Sequence, residues 1–438
     1  MLQYSSRVFQ ARFLTKPTVF LGSNTAVHQL LNDCSGNVDF GYKSFMHQVY
    51  GDNILFEDGS QAAKTKEALR HLFSHIHLTK YKATIERLVQ EDLKNLLTLE
   101  EVEAYEVFKC LMTKICLTLF LGLDFQDCEE IAKSIVDLTT IHWHGIISVP
   151  LSLRIPGIMS SSTYRQSLEA KEKLLDIIRD RMKKHEGEDG FLKWMSEANF
   201  PSAEHAYNHV LLLTSALAPK ALASLLTSFI ITTARSVTFR HLLFPIGQNE
   251  VESQKQLSSL YTADLFFAGV KNIQACLYNQ KEKLQDDARD SKTLLQNIWL
   301  EVYRLHPPFA GGRRLVRRDC EVDGHQLTAG QACMYMTRAA QRDPQVFTDP
   351  HEFMPSRWHQ QNAGDQDKLF LFGGGIRKCM GEELVHIILQ TCSKYLLENY
   401  NWSLVAGQDL TYKWLPVSRP KEGVKVRFKG NQPKTECT

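Results

Sequence analysis

From Phe372 to Gly381 the chain reads Phe-Gly-Gly-Gly-Ile-Arg-Lys-Cys-Met-Gly, and Glu382, Glu383 and Leu384 follow. Three consecutive glycines permit a tight, left-handed backbone path that side chains would obstruct. A cysteine set just after such a turn and just before a helix gains from the helix dipole and from unpaired backbone N–H groups, both of which favour the thiolate. The same N–H groups can hydrogen-bond the sulfur and tune a bound metal. Arg377, two residues before Cys379, offers a planar set of donors to an anionic group on a ligand. The plain alternative is a glycine turn followed by a buried structural cysteine, and three glycines beside one cysteine do not decide between them.

Further upstream, Glu301-Val302-Tyr303-Arg304 places a carboxylate and a guanidinium at i, i+3 on one helix face. Most such pairs are solvated surface charges. Here the pair runs straight into Leu305-His306-Pro307-Pro308, where proline stops the helix. His142-Trp143-His144 invites a metal reading, but residues i and i+2 do not share a helix face. With no carboxylate cluster beside them, these read as pocket or surface histidines. Cys110, Cys116, Cys128, Cys276 and Cys392 lie in apolar, helix-like surroundings and read as small core residues.

These groups need a scaffold. Helical periodicity runs over 24–33, long stretches of 61–140 and 165–235, and 383–400. In the segment from Tyr164, Leu168, Leu174, Leu175, Ile177, Ile178 and Met182 can share one face. Residues 8–22 alternate about Lys16-Pro17 as a hairpin, with further β-rich portions at about 312–336 and 402–429. Val322-Asp323-Gly324-His325 reads as a turn. The expected fold class is therefore mainly α with small β-sheets (α+β), and residues 1–438 read as a single domain.

The chain has 438 residues, 43% apolar and 23% charged, which suits a globular protein with ample core. Its 51 basic and 49 acidic residues leave a formal net charge of +2, which gives no argument for a nucleic-acid partner. Ten cysteines with no CxxC pair argue against zinc-finger, ferredoxin and thioredoxin chemistry and for reduced thiols in an intracellular compartment. The N-terminus has no apolar run long enough for a signal peptide or membrane anchor. The long lipophilic stretch Val210–Ala234 contains Pro219 and Lys220. A lysine at mid-bilayer costs roughly 3 kcal/mol, so a buried core helix is expected there.

The segment Phe372, Gly375, Arg377, Cys379, Gly381 resembles the haem-binding signature of the cytochrome P-450 family, F-x-x-G-x-R-x-C-x-G. The Glu301–Arg304 pair before Leu-His-Pro-Pro and the stretch Phe353-Met354-Pro355-Ser356-Arg357-Trp358 resemble that family's other two motifs, in the right order. Gly311-Gly312-Arg313-Arg314 and Leu415-Pro416-Val417 are most similar to the retinoic-acid-hydroxylase-like branch. The resemblance implies the P-450 fold, with haem b between a central helix and the cysteine loop. It implies Cys379 as the iron's axial ligand, and Arg377 and Arg314 as holders of the haem propionates. Aligned to Phe73, the third propionate cation falls on Lys66, which keeps the charge but loses the bidentate fork. Glu301, Arg304 and Arg357 are implied as a structural lock.

One region departs from the family. Its central helix normally carries A/G-G-x-D/E-T, whose acid and alcohol hand on protons during dioxygen cleavage. The best register puts Lys220 and Ala221 at those two positions; a second, Ala268-Gly269-Val270-Lys271-Asn272, also has lysine for the acid. Pro219 need not break the helix if a bulge already interrupts its ladder. Three functions remain open. The first is monooxygenation of a hydrophobic small molecule (retinoid, terpenoid, sterol or fatty acid), with NADPH electrons arriving through a reductase or ferredoxin. The second is reductant-independent isomerisation or dehydration of lipid hydroperoxides or endoperoxides. The third is non-catalytic haem or lipid binding. Residues near Phe45–Phe56, the central helix, Phe309–Gly311 and Leu415–Val417 are the expected pocket. The expected setting is cytoplasmic or at the endoplasmic reticulum, with peripheral membrane contact and no transmembrane segment in this chain. The chain starts where family members already have tens of residues behind them, which fits a removed anchor, a short form or an incomplete one.

Overall fold

The structure is a computed structural model and describes residues 7–13, 16–125, 129–148, 162–184, 189–235, 288–358 and 366–431. The hairpin at the start is present: β1 (Val8–Phe13) pairs antiparallel with β2 (Lys16–Leu21). It does not stand alone. Strand β2 runs parallel to β8 (Ala332–Tyr335), and β5 (Gly312–Val316) lies antiparallel between β8 and β3 (Val38–Phe40). The resulting sheet, of order β1-β2-β8-β5-β3, therefore joins the two ends of the sequence. Strand β3 was not expected, because three residues carry too little alternation to be read.

The expected turn at Asp323-Gly324 links β6 (Cys320–Val322) to β7 (His325–Leu327), with both turn residues at positive φ of 50° and 72°. That pair of left-handed residues matches the right-handed strand twist. A third sheet brings β4 (Val102–Glu103) against β12 (Lys425–Gly430) and β9 (Tyr400–Leu404).

Helices supply the main core. They are α1 (Asn24–Leu31), α2 (Lys43–Tyr50), α3 (Gly59–Leu72), α4 (His75–Leu93), α5 (Ala104–Leu121) and α6 (Glu129–Ile147). Next come α7 (Thr163–Lys184), α8 (Phe191–Glu197), α9 (Ala203–Thr214) and α10 (Leu217–Arg235). After the segment 236–287 follow α11 (Ala288–Leu305), the single turn α12 (Thr337–Ala340) and α13 (Glu382–Asn399). In α7 the buried face includes Leu174, Leu175, Ile178 and Met182, as the apolar spacing dictates, while Leu168 and Ile177 are half-buried at its edges.

Helix α10 is buried from Leu222 through Ile231, all the way round its axis. A helix apolar on every side belongs in the centre of a core, and Phe229 duly stacks on Trp299 of α11 at 4.9 Å. The stretch Ala203–Arg235 is long and apolar enough to cross a membrane by composition, yet 67% of its most apolar window is buried inside the protein. That fits the core-helix expectation.

The central helix does break, but not at Pro219. Helix α9 ends at Thr214, Ser215 is extended (φ −58°, ψ 148°), and α10 begins at Leu217. Pro219 occupies the first turn of α10, where its missing N–H has no partner to lose. Its ring would collide with the carbonyl four residues back, that of Ser215, if the helix continued. The chain resolves the conflict by interrupting the helix there.

Glu301 and Arg304, 0% exposed, tie α11 to the segment before the cysteine loop. Arg304 Nε and Nη2 donate to Glu301 at 2.9 and 2.7 Å, and its remaining donors reach the carbonyls of Gln341, Pro350 and Glu352. Glu301 also accepts from Arg357 Nε (3.1 Å), Trp358 Nε1 (2.9 Å) and the Met354 N–H (2.9 Å). Removing one member strands a buried charge. Glu301→Ala is expected to cost about 3–5 kcal/mol of stability. Urea unfolding should show a large fall in its midpoint, with a smaller one for Arg357→Ala, whose side chain is 10% exposed.

Candidate active site

The cysteine loop is closed by one backbone bond, from the Cys379 N–H to the Phe372 carbonyl at 2.9 Å. Two of the three glycines do the work foreseen for them: Gly373 and Gly375 have φ of 74° and 56°. Gly374 is extended. At Gly375 the need for glycine is double, because a Cβ there would also run into the Leu31 carbonyl oxygen. The Gly375 N–H donates to Asn32 Oδ1 at 2.9 Å, so the loop is seated on the end of α1. Phe372 anchors its other side edge-on to Tyr303 (5.9 Å) and His386 (5.3 Å).

Cys379 is an accessible free thiol three residues before α13. Water reaches one side of it while the loop and helix pack round the rest. Burial is accordingly the largest influence and pushes the thiol up; the Gly381 N–H, Lys378 and Lys66 pull it down, and Glu382 opposes them. The helix start thus favours the thiolate locally without outweighing desolvation.

Three cations gather at this loop. Arg377 donates to the carbonyls of Ile54 (3.0 Å) and Glu57 and pairs with Asp58. Arg314, on β5, is buried between the Phe40 and Tyr335 rings at 5.5 and 5.0 Å. Its Nη1 donates to the Arg313 carbonyl at 3.0 Å. Arg314, Arg377 and Gly374 line one small crevice with Leu31, Ser35 and Val38. Lys66, on α3, reaches the Ile376 carbonyl at 2.9 Å, which sets its ammonium beside the cysteine loop. The sequence reading missed Asp58 and Asn32, and named Trp358 in its motif without its bond to Glu301. Asp58-Gly59 at a helix start was the only visible hint of the first, and nothing local marks Asn32.

Lys220 and Ala221 lie in the second turn of α10. The Lys220 ammonium sits 4.7 Å over the buried Trp143 ring. Trp143 clusters with Ala216, Val417, Ile146, Leu217 and Phe309, which unites three of the four expected pocket segments. The fourth adjoins it: Phe56 packs with Val49, Tyr50 and Tyr164 in a cluster that shares Ile146, Tyr50 bonds Ser215, and the Phe45 side chain lies outside the described residues. The alternative register at 268–272 lies outside them too, as do Cys128 and Cys276. Cys116 and Cys392 are buried as expected, but Cys110 is exposed, because it sits on the outward face of α5. His142 is a buried histidine bonded to the Val49 carbonyl at 2.8 Å, its pKa pushed down to about 4 by desolvation.

Among the described residues no group of three or more His, Cys, Asp or Glu side chains could hold a metal ion. One soft thiol is therefore the donor on offer. That suits an iron whose other ligands come from a macrocycle, and the buried, carboxylate-free Arg314 suits a macrocycle bearing acid groups. Fold and loop together define a class, the haem-thiolate proteins.

Comparison with known proteins agrees. The family model described as Cytochrome P450 matches residues 270–428. A putative cytochrome P450 120 of Synechocystis sp. is 22% identical over 431 residues, covering 96% of this chain and 89% of its own. Human cytochrome P450 26B1 is 24% identical, covering 97% and 80%. The solved structure of retinoic acid bound cyanobacterial CYP120A1 superimposes with a TM-score of 0.78 at 20% identity, covering 97% and 92%. Residues 270–428 thus match the cytochrome P450 family model, and nearly the whole chain is similar to cytochrome P450 proteins and shares their fold. Its cofactor is haem b, and it is an oxidoreductase of the monooxygenase class.

If the loop's path is what presents the thiol, Gly375→Ala should disturb it. An alanine at that φ costs about 1–2 kcal/mol before any clash. Purified Gly375→Ala protein is expected to carry less haem per chain than wild type, read from the ratio of Soret to 280 nm absorbance.

Proposed function

We propose that this chain oxidises a retinoid or similarly hydrophobic small molecule with dioxygen and external electrons, the whole chain forming one domain. The observation that carries the reading is the accessible Cys379 thiol at a glycine-shaped loop, with Arg314, Arg377 and Lys66 converging on it. Cys379 would hold the iron, and Arg314 and Arg377, with Lys66, would face the propionates. Arg377 must then share or exchange its Asp58 partner. Bound haem supplies the centre at which dioxygen is activated, and thiolate ligation favours O–O cleavage.

The protein's own residues do the rest. Glu301, Arg304 and Arg357 keep the segment leading into the loop in register. Trp143, Phe309 and Val417 present an apolar wall that excludes water and holds a lipophilic substrate through few polar contacts. The retinoic acid bound to the cyanobacterial structure supports a retinoid as the substrate. Electrons would come from NADPH through a reductase or ferredoxin docking on the basic patch around Lys378 and Arg377. Irregularly spaced, unpaired cysteines support an intracellular setting, in the cytoplasm or at the endoplasmic reticulum with peripheral membrane contact.

A second reading is favoured by one observation: the acid–alcohol positions hold Lys220 and Ala221, and the helix is interrupted just before them. It is the reductant-independent rearrangement of a lipid peroxide. The haem-loaded protein should be offered retinoic acid with and without NADPH and a reductase, beside a fatty-acid hydroperoxide alone. Turnover of the retinoid only with reductant supports monooxygenation; rapid loss of the hydroperoxide without reductant, and no retinoid turnover, overturns it. Cys379→Ser is expected to lose the carbon-monoxide difference band of a thiolate-ligated haem under either chemistry.

A further inference from the structure

Lys220 stands near the start of α10, at the margin of the core, and the described residues around it do not balance its charge. It is half-buried, and among the described residues its ammonium makes no ion pair and no side-chain hydrogen bond; its one close contact is the Trp143 ring at 4.7 Å. Burial comes first among the influences that push its pKa down to about 8. The repulsion of Lys109 and Arg419 adds to this, and only Glu106 opposes it. Glu106 is itself engaged by Lys109. Desolvating an ammonium without a counter-ion is costly, and a single cation–π contact returns about 0.5–2 kcal/mol. A ligand carrying the missing negative charge would resolve the imbalance.

The neighbourhood also defines the rest of that ligand. Trp143 belongs both to the lysine's contact and to the apolar cluster with Ala216, Val417, Leu217 and Phe309. A cation at the margin of an aromatic and aliphatic wall matches an amphipathic molecule, with a hydrocarbon body along the wall and an acid end at the ammonium. We propose that Lys220 is the specificity-determining residue that selects substrates ending in a carboxylate over the corresponding alcohols. This rests on the hydrophobic pocket proposed above and adds the chemical end-group that the pocket reads.

Among the described residues the charged and aromatic groups facing Lys220 are Lys109 and Glu106 from α5, Trp143 from α6 and Arg419 from β11 (Arg419–Pro420). The sign of the pH dependence follows. The ammonium form binds the carboxylate, so acid affinity is full well below pH 8 and falls as pH rises through about 8, whereas alcohol affinity does not change.

The test is binding, measured apart from turnover on haem-loaded protein. Retinoic acid against retinol, and palmitic acid against hexadecanol, are titrated by Soret shift and by tryptophan quenching in wild type, Lys220→Met and Lys220→Arg. Wild type is expected to prefer the acid of at least one pair by about ten-fold, or ~1.4 kcal/mol. Lys220→Met should lose that preference and its pH dependence while keeping its alcohol affinity, and Lys220→Arg should keep the preference without the loss near pH 8. Equal affinity for acid and alcohol in wild type overturns the inference and leaves the pocket standing. So does a Lys220→Met protein that weakens both ligands alike, which would make the lysine a structural partner of Trp143 only. Binding of none of the four lipids overturns the inference and the hydrophobic pocket together.

Discussion

The buried carboxylate of Glu301 is the constraint on which the C-terminal half depends. It is surrounded by five donors from four residues: Arg304, Arg357, Trp358 and the Met354 backbone. Such a cluster is a poor way to gain stability, since three ions leave water to form it. Its effect is geometric. Arg304 also binds the carbonyls of Gln341, Pro350 and Glu352, and Gln341 in turn receives the Phe370 N–H at 2.7 Å. Phe370 stands two residues before Phe372. The irregular chain entering the cysteine loop is thus held by hydrogen bonds traceable to one carboxylate, in a stretch with little regular secondary structure to hold it otherwise.

The loop is completed from the other end of the chain. Asn32 receives its Gly375 N–H, Lys66 reaches the Ile376 carbonyl, and Asp58 takes Arg377. The five-stranded sheet explains how residues more than 300 positions apart in sequence meet, because β2 and β3 pair with β8 and β5. Arg314 lies on β5, between both partners, and its guanidinium is pinned by aromatic rings from β3 and β8. The family model covers 270–428 alone, yet two of the residues that fix the loop's cations and backbone come from α1 and the start of α3.

Legibility in the sequence followed how local the physics is. Glycine conformations, the helix following Cys379, the i, i+3 pair and the Asp-Gly turn all depend on neighbours within a few residues, and all were readable. The helical stretches were readable because amphipathic spacing survives in single sequences, as in α7. Sheet topology was not, because pairing of β2 with β8 leaves no trace in either segment. For the same reason Asp58 could not be assigned to Arg377, nor Trp358 to Glu301. Cys110 misled because apolar neighbours on a helix do not say which way that one residue faces. The resemblance to the family's central helix placed Lys220, but only the fold puts it over Trp143.

That lysine and the interrupted helix have a common origin. Pro219 cannot sit within a continuous helix without displacing the Ser215 carbonyl, so the chain restarts at Leu217 and places Lys220 in the second turn of a new helix. There the helix is still at the margin of the core, and a long cationic side chain can lie across an aromatic ring. From Leu222 to Ile231 α10 is buried throughout, and its alcohols are Ser224, Thr227, Ser228, Thr232 and Thr233, the last two turned onto backbone carbonyls of their own helix. Ser224 donates to the Ser418 carbonyl, and Ser228 bonds both the Ser224 carbonyl and the Tyr412 hydroxyl. Only Thr227 keeps a buried hydroxyl without a partner, and it stands six residues beyond Ala221. Ser224 and Ser228 therefore tie this helix to the β10–β11 hairpin (Tyr412–Lys413 and Arg419–Pro420) and its connecting segment, and do not stand in for the alcohol missing at Ala221. What the sequence substitutes at that turn is charge of the opposite sign, beside an apolar wall.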